Sequence, residues 1–219
     1  MSSDAANDRE RASRRGFLRT FAGGTALASA TPLAAVATVG DLYVNHRLGL
    51  AFRKPAGWRF ESVRTFADIR NEYEYAALDA EVEAMLKQGP LPLAVASSGP
   101  VLRMLASSVT VYMEESPLGP SETLASVAPE LIRGVGGFVT DFTLLGEPRC
   151  GQLAGRESLE YRFTFLYEDR LGNRGPVRHR TLVLSRPPLL CTFNMLDLPA
   201  DRIDAQREFD ALCASIVLA

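Results

Sequence analysis

From Ser158 to Glu168 the chain reads SLEYRFTFLYE, in which Leu159, Tyr161, Phe163, Phe165 and Tyr167 alternate with polar or shorter residues. A period of two sends alternate side chains to opposite faces of an extended strand, so this run predicts a strand with one largely aromatic face. Such a strand cannot stand alone. Its aromatic face needs a second layer to cover it, and its edges need neighbours. The flanking sequence supplies the neighbours. DRLGNRGP, Asp169 to Pro176, is a long hairpin loop rich in turn residues. Val177–Arg186 and Leu189–Leu198 then continue the sheet, and Phe142–Glu147 leads into it through a corner at Cys150–Gly155. The expectation is a four-strand antiparallel meander.

The rest of the chain supplies further strands and the covering layers. Leu48, Leu50 and Phe52 alternate up to Pro55, and the KPAGW turn, Lys54 to Trp58, delivers the only tryptophan. Residues Asn71 to Gln88 lack Gly and Pro and are rich in Glu, Ala and Leu, which predicts a helix stopped by Gly89 and Pro90. LPLAVASS and SSVTVYME are two short strands separated by Gly99 and Pro100. A second helix starts at Ser121, keeps Leu124, Val127, Leu131 and Val135 on one face, and ends at Gly136-Gly137. Asp201 to Leu218 predicts a closing helix with Ile203, Phe209, Leu212, Cys213 and Ile216 on an apolar stripe.

This order of elements resembles the PsbP-like superfamily. The resemblance rests on LGLAFRKPAGW, SVTVYMEE, PSETL, GQLAGRESLEYRFTF, LLCTFNM and FDALCASIVL, with Pro55, Gly57, Trp58 and Gly155 as its identifiable residues. That group contains the extrinsic oxygen-evolving protein of photosystem II, a Ran-binding nuclear import factor and small exported bacterial proteins. The resemblance implies an α+β fold, an α/β/α sandwich around a mainly antiparallel sheet, over roughly residues 41–219. Its members often act by binding, and a shared fold does not carry function across.

The N-terminal segment points to an export route. Ser13, Arg14, Arg15, Gly16, Phe17, Leu18 and Arg19 closely resemble the twin-arginine motif, with Arg19 where lysine is usual. Arg14, Arg15, Phe17 and Leu18 form the part that a translocon receptor reads. The apolar run Phe21–Ala37 is broken by Gly23, Gly24, Thr25, Ser29, Thr31 and Pro32, so it is too weak for a transmembrane helix. AVA at Ala35 to Ala37 predicts cleavage after Ala37, and ASA at Ala28 to Ala30 offers a second position. A retained N-terminal helix is the plain alternative. The expected organisation is a signal peptide at residues 1–37, a single domain at 38–219, and no membrane span after cleavage.

Chemistry is harder to find. The whole-chain net charge of -2 argues against a nucleic-acid binder, and the leader carries five arginines against three acids, so the mature part is more acidic still. No G-x-S-x-G, H-E-x-x-H or P-loop pattern occurs, and His46 and His179 are the only histidines. No cofactor or metal is expected. His179, between Arg178 and Arg180, reads as a strand residue packed near Phe165. Cys150 and Cys191 could pair, but the expected meander puts a strand between them, beyond disulfide reach, so Cys150, Cys191 and Cys213 read as free, buried thiols, with Cys150 beside Arg149 the one candidate for reactivity. Glu72, Glu74, Asp79, Glu81 and Glu83 make the first helix acidic. Arg170, Arg174, Arg178 and Arg180 make the meander hairpin basic. Two solvated faces explain both features; the sharper reading is a hairpin that docks an acidic protein partner. Together these features predict an exported, non-enzymatic binding or accessory protein of the bacterial cell envelope. A small-molecule or lipid carrier using a sheet–helix cleft is the second reading, and a thiol-dependent or hydrolytic enzyme the third.

Overall fold

The computed structural model describes residues 36–72, 89–99, 106–119, 121–168, 174–197 and 205–219. The export residues Arg14, Arg15, Phe17 and Leu18, the loop residue Arg170, and all but the start of the helix expected at 71–88 lie outside them.

The chain opens with strands β1 (Val36–Val39), β2 (Leu42–Asn45), β3 (Leu50–Arg53) and β4 (Arg59–Glu61), then helix α1 (Val63–Glu72). Strands β5 (Ala94–Ser97) and β6 (Ser108–Glu115) precede helix α2 (Leu124–Gly136). Five strands follow: β7 (Thr140–Leu144), β8 (Arg149–Leu153), β9 (Arg156–Glu168), β10 (Arg174–Arg186) and β11 (Leu189–Asp197). Helix α3 (Ala205–Ala214) and strand β12 (Val217–Leu218) complete the set. The main sheet runs β4-β5-β6-β11-β10-β9-β7, and β8 lies along the other half of the β9 edge. All its pairings are antiparallel.

Alternation along the central strands sorts the layers. On β10, Val183 joins Leu159, Tyr161 and Phe163 of β9 under Leu124, Ala128 and Ile132 of α2. Leu182 and Leu184 point the other way, into a core with Phe193, Met195 and the α3 residues Phe209 and Leu212. A helix therefore covers each face, as the aromatic face of β9 requires. A small second sheet, β1-β2-β3-β12, extends the cover on the α3 side through Tyr43, Leu50, Phe52 and Leu218.

Several boundaries differ from the sequence reading. The Cys150–Gly155 corner is strand β8 followed by a two-residue turn, in which Ala154 and Gly155 both have positive φ (50° and 70°). Two positive φ values suit the right-handed twist of a tight hairpin, and Leu153 pairs directly with Arg156 across it. Helix α2 starts later than Ser121. Thr123 caps it, accepting from Ser126 N while Ser126 Oγ accepts from Thr123 N. The closing helix stops at Ala214, where Ser215 Oγ donates to the Leu212 carbonyl. Val217 and Leu218 then leave the helix axis to pair with Ala51 and Leu50. Ile216 is buried as expected, and Ile203 lies outside the described residues.

Candidate functional site

The hairpin arginines do not form one surface. Arg174 is exposed at the start of β10. Arg178 and Arg180 occupy alternate positions with Leu182 and Leu184, so their strand turns them toward the α3 side. There Arg178 Nη2 meets Asp197 Oδ2 at 2.6 Å, and the Asp197 side chain is fully buried. Arg180 is only 4% exposed. Its Nη1 donates to Asp210 Oδ1 at 2.5 Å and its Nη2 to Glu160 Oε2 at 2.7 Å. The expectation that all four arginines offer themselves to a partner is therefore corrected for these two. Their spacing correctly put them on one face, but that face lies under a helix and faces the chain's own carboxylates.

Burial makes the Arg178–Asp197 pair unequal. Asp197 Oδ1 has no hydrogen-bond partner, and Gln206 Nε2 reaches Oδ2 at 3.4 Å. Arg178→Leu should strand a buried carboxylate and cost about 2 kcal/mol, below the full value for a buried pair because Arg178 is partly solvated. Arg174→Glu, at an exposed position, should stay within about 0.5 kcal/mol of wild type. Urea denaturation of the two variants checks the contrast.

Around Arg180 the structure opens. A solvent-facing cleft of about 360 Å³ lies between β8, β9 and β10 on one side and the C-terminal half of α3 on the other. Glu160 and Arg180 sit in its lining with Asp210 and Cys213 of α3. Arg149 of β8 pairs in register with Glu160, so the two side chains leave the sheet on the same face. Arg162 Nη2 reaches Glu160 Oε1 at 2.9 Å, so Glu160 serves two guanidinium groups. Sequence reasoning missed this cluster. Its trace was present as charged residues Glu160, Arg162 and Arg180 at alternate positions of two apolar strands, and Asp210 beside the buried Phe209.

The thiols divide in two. Cys191 and Cys213 are buried and free, and burial pushes them up to about 12 and about 11. Cys150 is exposed, which corrects the expectation of three buried thiols; it sits on β8, a strand whose residues mostly face solvent. Strands β9 and β10 separate it from Cys191, so those two cannot bridge. His179 packs edge-on against Phe163, with ring centres 4.7 Å apart, and lies 6.4 Å from Phe165. Its Nδ1 is shut from solvent without a partner, and burial lowers its pKa to about 4. Among the described residues, no group of three His, Cys, Asp or Glu is arranged to hold a metal ion. No helix among them is long and apolar enough to cross a membrane. The expected cleavage residue Ala37 lies within β1, an outer strand whose four residues are all exposed.

No protein-family model and no curated protein sequence matches the chain. Solved structures resemble it at the level of fold. Cyanobacterial PsbP from Synechocystis sp. PCC 6803 is 14% identical, with 88% of this chain and 99% of that chain covered at a TM-score of 0.52. That likeness agrees with the α+β architecture around a large antiparallel sheet. LpqN, involved in cell envelope biogenesis of Mycobacterium tuberculosis, is 13% identical over 78% of this chain and 83% of its own, with a TM-score of 0.49. PA94 of Pseudomonas aeruginosa, of unknown function, is 13% identical over 52% of this chain and 74% of its own, with a TM-score of 0.44. These last two are too distant to add to the fold argument.

Proposed function

We propose that the chain is an exported, non-catalytic binding protein of the bacterial cell envelope, carried out by the twin-arginine translocon and recognising an acidic surface on a protein partner. The observation that carries the export half is the motif Ser13–Arg19 followed by the interrupted apolar run to Ala37. The fold is compatible with cleavage there. A cut after Ala37 removes Val36 and Ala37 from the exposed strand β1 and leaves both apolar cores intact. The binding half is supported by two guanidinium groups: Arg174 of β10 is exposed, and Arg149 of β8 borders an open cleft. The lipid-carrier reading gains no support from that cleft, because Arg149, Glu160, Arg180 and Asp210 line it.

Exchanging Arg14 and Arg15 together for lysine should hold the precursor in the cytoplasm, since the receptor reads the pair as a unit. Immunoblots of cytoplasmic and periplasmic fractions check this. An unchanged periplasmic yield from the double variant rejects the export route. Mass measurement of the exported product tests cleavage after Ala37 against cleavage after Ala30.

A further inference from the structure

We infer that the cleft between β8–β10 and α3 is a carboxylate-binding site, in which Asp210 occupies the place that a carboxylate of an acidic partner segment takes. This rests on the binding reading above and moves the point of recognition from the hairpin tip to the cleft.

The argument starts from Arg180. A guanidinium that is 4% exposed needs anionic partners, because its charge has lost most of its water. The fold provides two. Glu160 is shared with Arg162, so Asp210 is the one carboxylate in the cluster with a single guanidinium partner among the contacts Arg180 and Arg162 make. The Asp210 side chain is 65% exposed. An exposed carboxylate gains little from an ion pair, whereas the buried guanidinium loses much without one. Asp210 is thus a weakly held occupant of a position that Arg180 requires to be filled. Arg180 Nε is shut from solvent and has no hydrogen-bond partner, so the anions at Nη1 and Nη2 carry the compensation of its charge.

The surroundings select the ligand class. Arg149, Arg162 and Arg180 face Glu160 and Asp210, which leaves one positive charge in excess within this cluster. That balance suits one carboxylate group at a time and disfavours a doubly charged head group such as phosphate beside two resident acids. The cleft volume of about 360 Å³ falls in the range of small-ligand pockets and admits acidic side chains from solvent.

Two probes test the inference on the full chain at constant ionic strength: glutarate and a capped tetraglutamate peptide, each followed by calorimetric titration. Asp210→Asn removes the competing charge from the position and should tighten binding by roughly tenfold, the size of one charge-assisted contact at a partly exposed site. Arg149→Gln, at an exposed position, should weaken it by a similar factor with an unchanged Tm. A purely structural Asp210 would leave no probe bound to the Asp210→Asn protein, whatever the change in Tm. Binding of the peptide alone assigns the site to an acidic segment; binding of glutarate as well assigns it to carboxylates generally. Absence of binding to Asp210→Asn at millimolar probe, or equal affinities in wild type and both variants, overturns the site. The titration does not depend on export, so failure of the export assay and failure of the cleft are separate results.

Discussion

Replacing Trp58 with alanine should lower the free energy of unfolding by about 3–5 kcal/mol, the usual range for truncating a large buried aromatic. The indole is 4% exposed and stands edge-on to Phe209 of α3, with ring centres 5.9 Å apart. Its Nε1 donates to Glu208 Oε2 at 2.8 Å. The turn that delivers it is closed by Trp58 N donating to the Pro55 carbonyl, and Gly57 takes φ +80° there, a conformation that costs a side-chain-bearing residue more. Trp58 therefore joins the loop after β3 to the last helix, and its truncation opens a cavity beside Phe209. Trp58→Phe should recover much of the loss, because it keeps the ring and forfeits the hydrogen bond. The guanidinium denaturation midpoint measures both. A midpoint that barely moves in Trp58→Ala would place the indole outside the core.

The second large effect is hidden in the wild type by cancellation. Burial lowers His179 from 6.5 to about 4. Between those values the unfolded chain binds a proton that the folded chain does not, so this residue makes stability rise with pH. Burial raises Glu114 from 4.5 to about 7. Between those values the folded chain holds the proton, so this residue makes stability fall as pH rises. Each contributes about 2–3 kcal/mol across its window, allowing for the surface both residues retain. The two windows overlap, and within the overlap the opposed slopes should leave these residues' joint contribution nearly flat. His179→Leu should unmask a decline in stability, relative to wild type, as pH rises from about 4.5 to 7. Glu114→Gln should unmask a rise from about pH 4 to 6.5. Denaturation curves across pH for the three proteins decide it; parallel profiles would show that neither group titrates out of step with the unfolded chain.

The meander was legible because burial wrote itself into local alternation. Tyr161 and Phe163 take the α2 face, Phe193 and Met195 the α3 face, and a period of two is visible without knowing which is which. The same limit explains the arginine error. Alternation shows that Arg178 and Arg180 share a face; only the docking of α3 decides that the face lies inside. Strand β8 was missed for a related reason: RCGQL borders the sheet with mostly exposed residues and carries no apolar rhythm. The charged cleft needs β8, β9, β10 and α3 together, so no single segment contains its signature. The small sheet left still less trace, since it pairs residues near position 50 with residues near 217.

That distant pairing sets a timetable. Val217 and Leu218 lie against Ala51 and Leu50, and Ala219 N donates to the Gly49 carbonyl at 3.0 Å. Gly49 takes φ +59°, the left-handed region that favours glycine, and a methyl group there would come within 3.1 Å of the Ala219 carbonyl oxygen. During synthesis β3 is made early and must wait with an open edge for a partner made late, and contacts of such separation are slow to form. Leu50 and Phe52, both core residues, gain this cover only once Leu218 has left the ribosome. The small sheet thus closes only after every strand of the main sheet has been made. A transport machinery that engages the nascent polypeptide meets it unsealed, and one that waits for release meets a domain already shut.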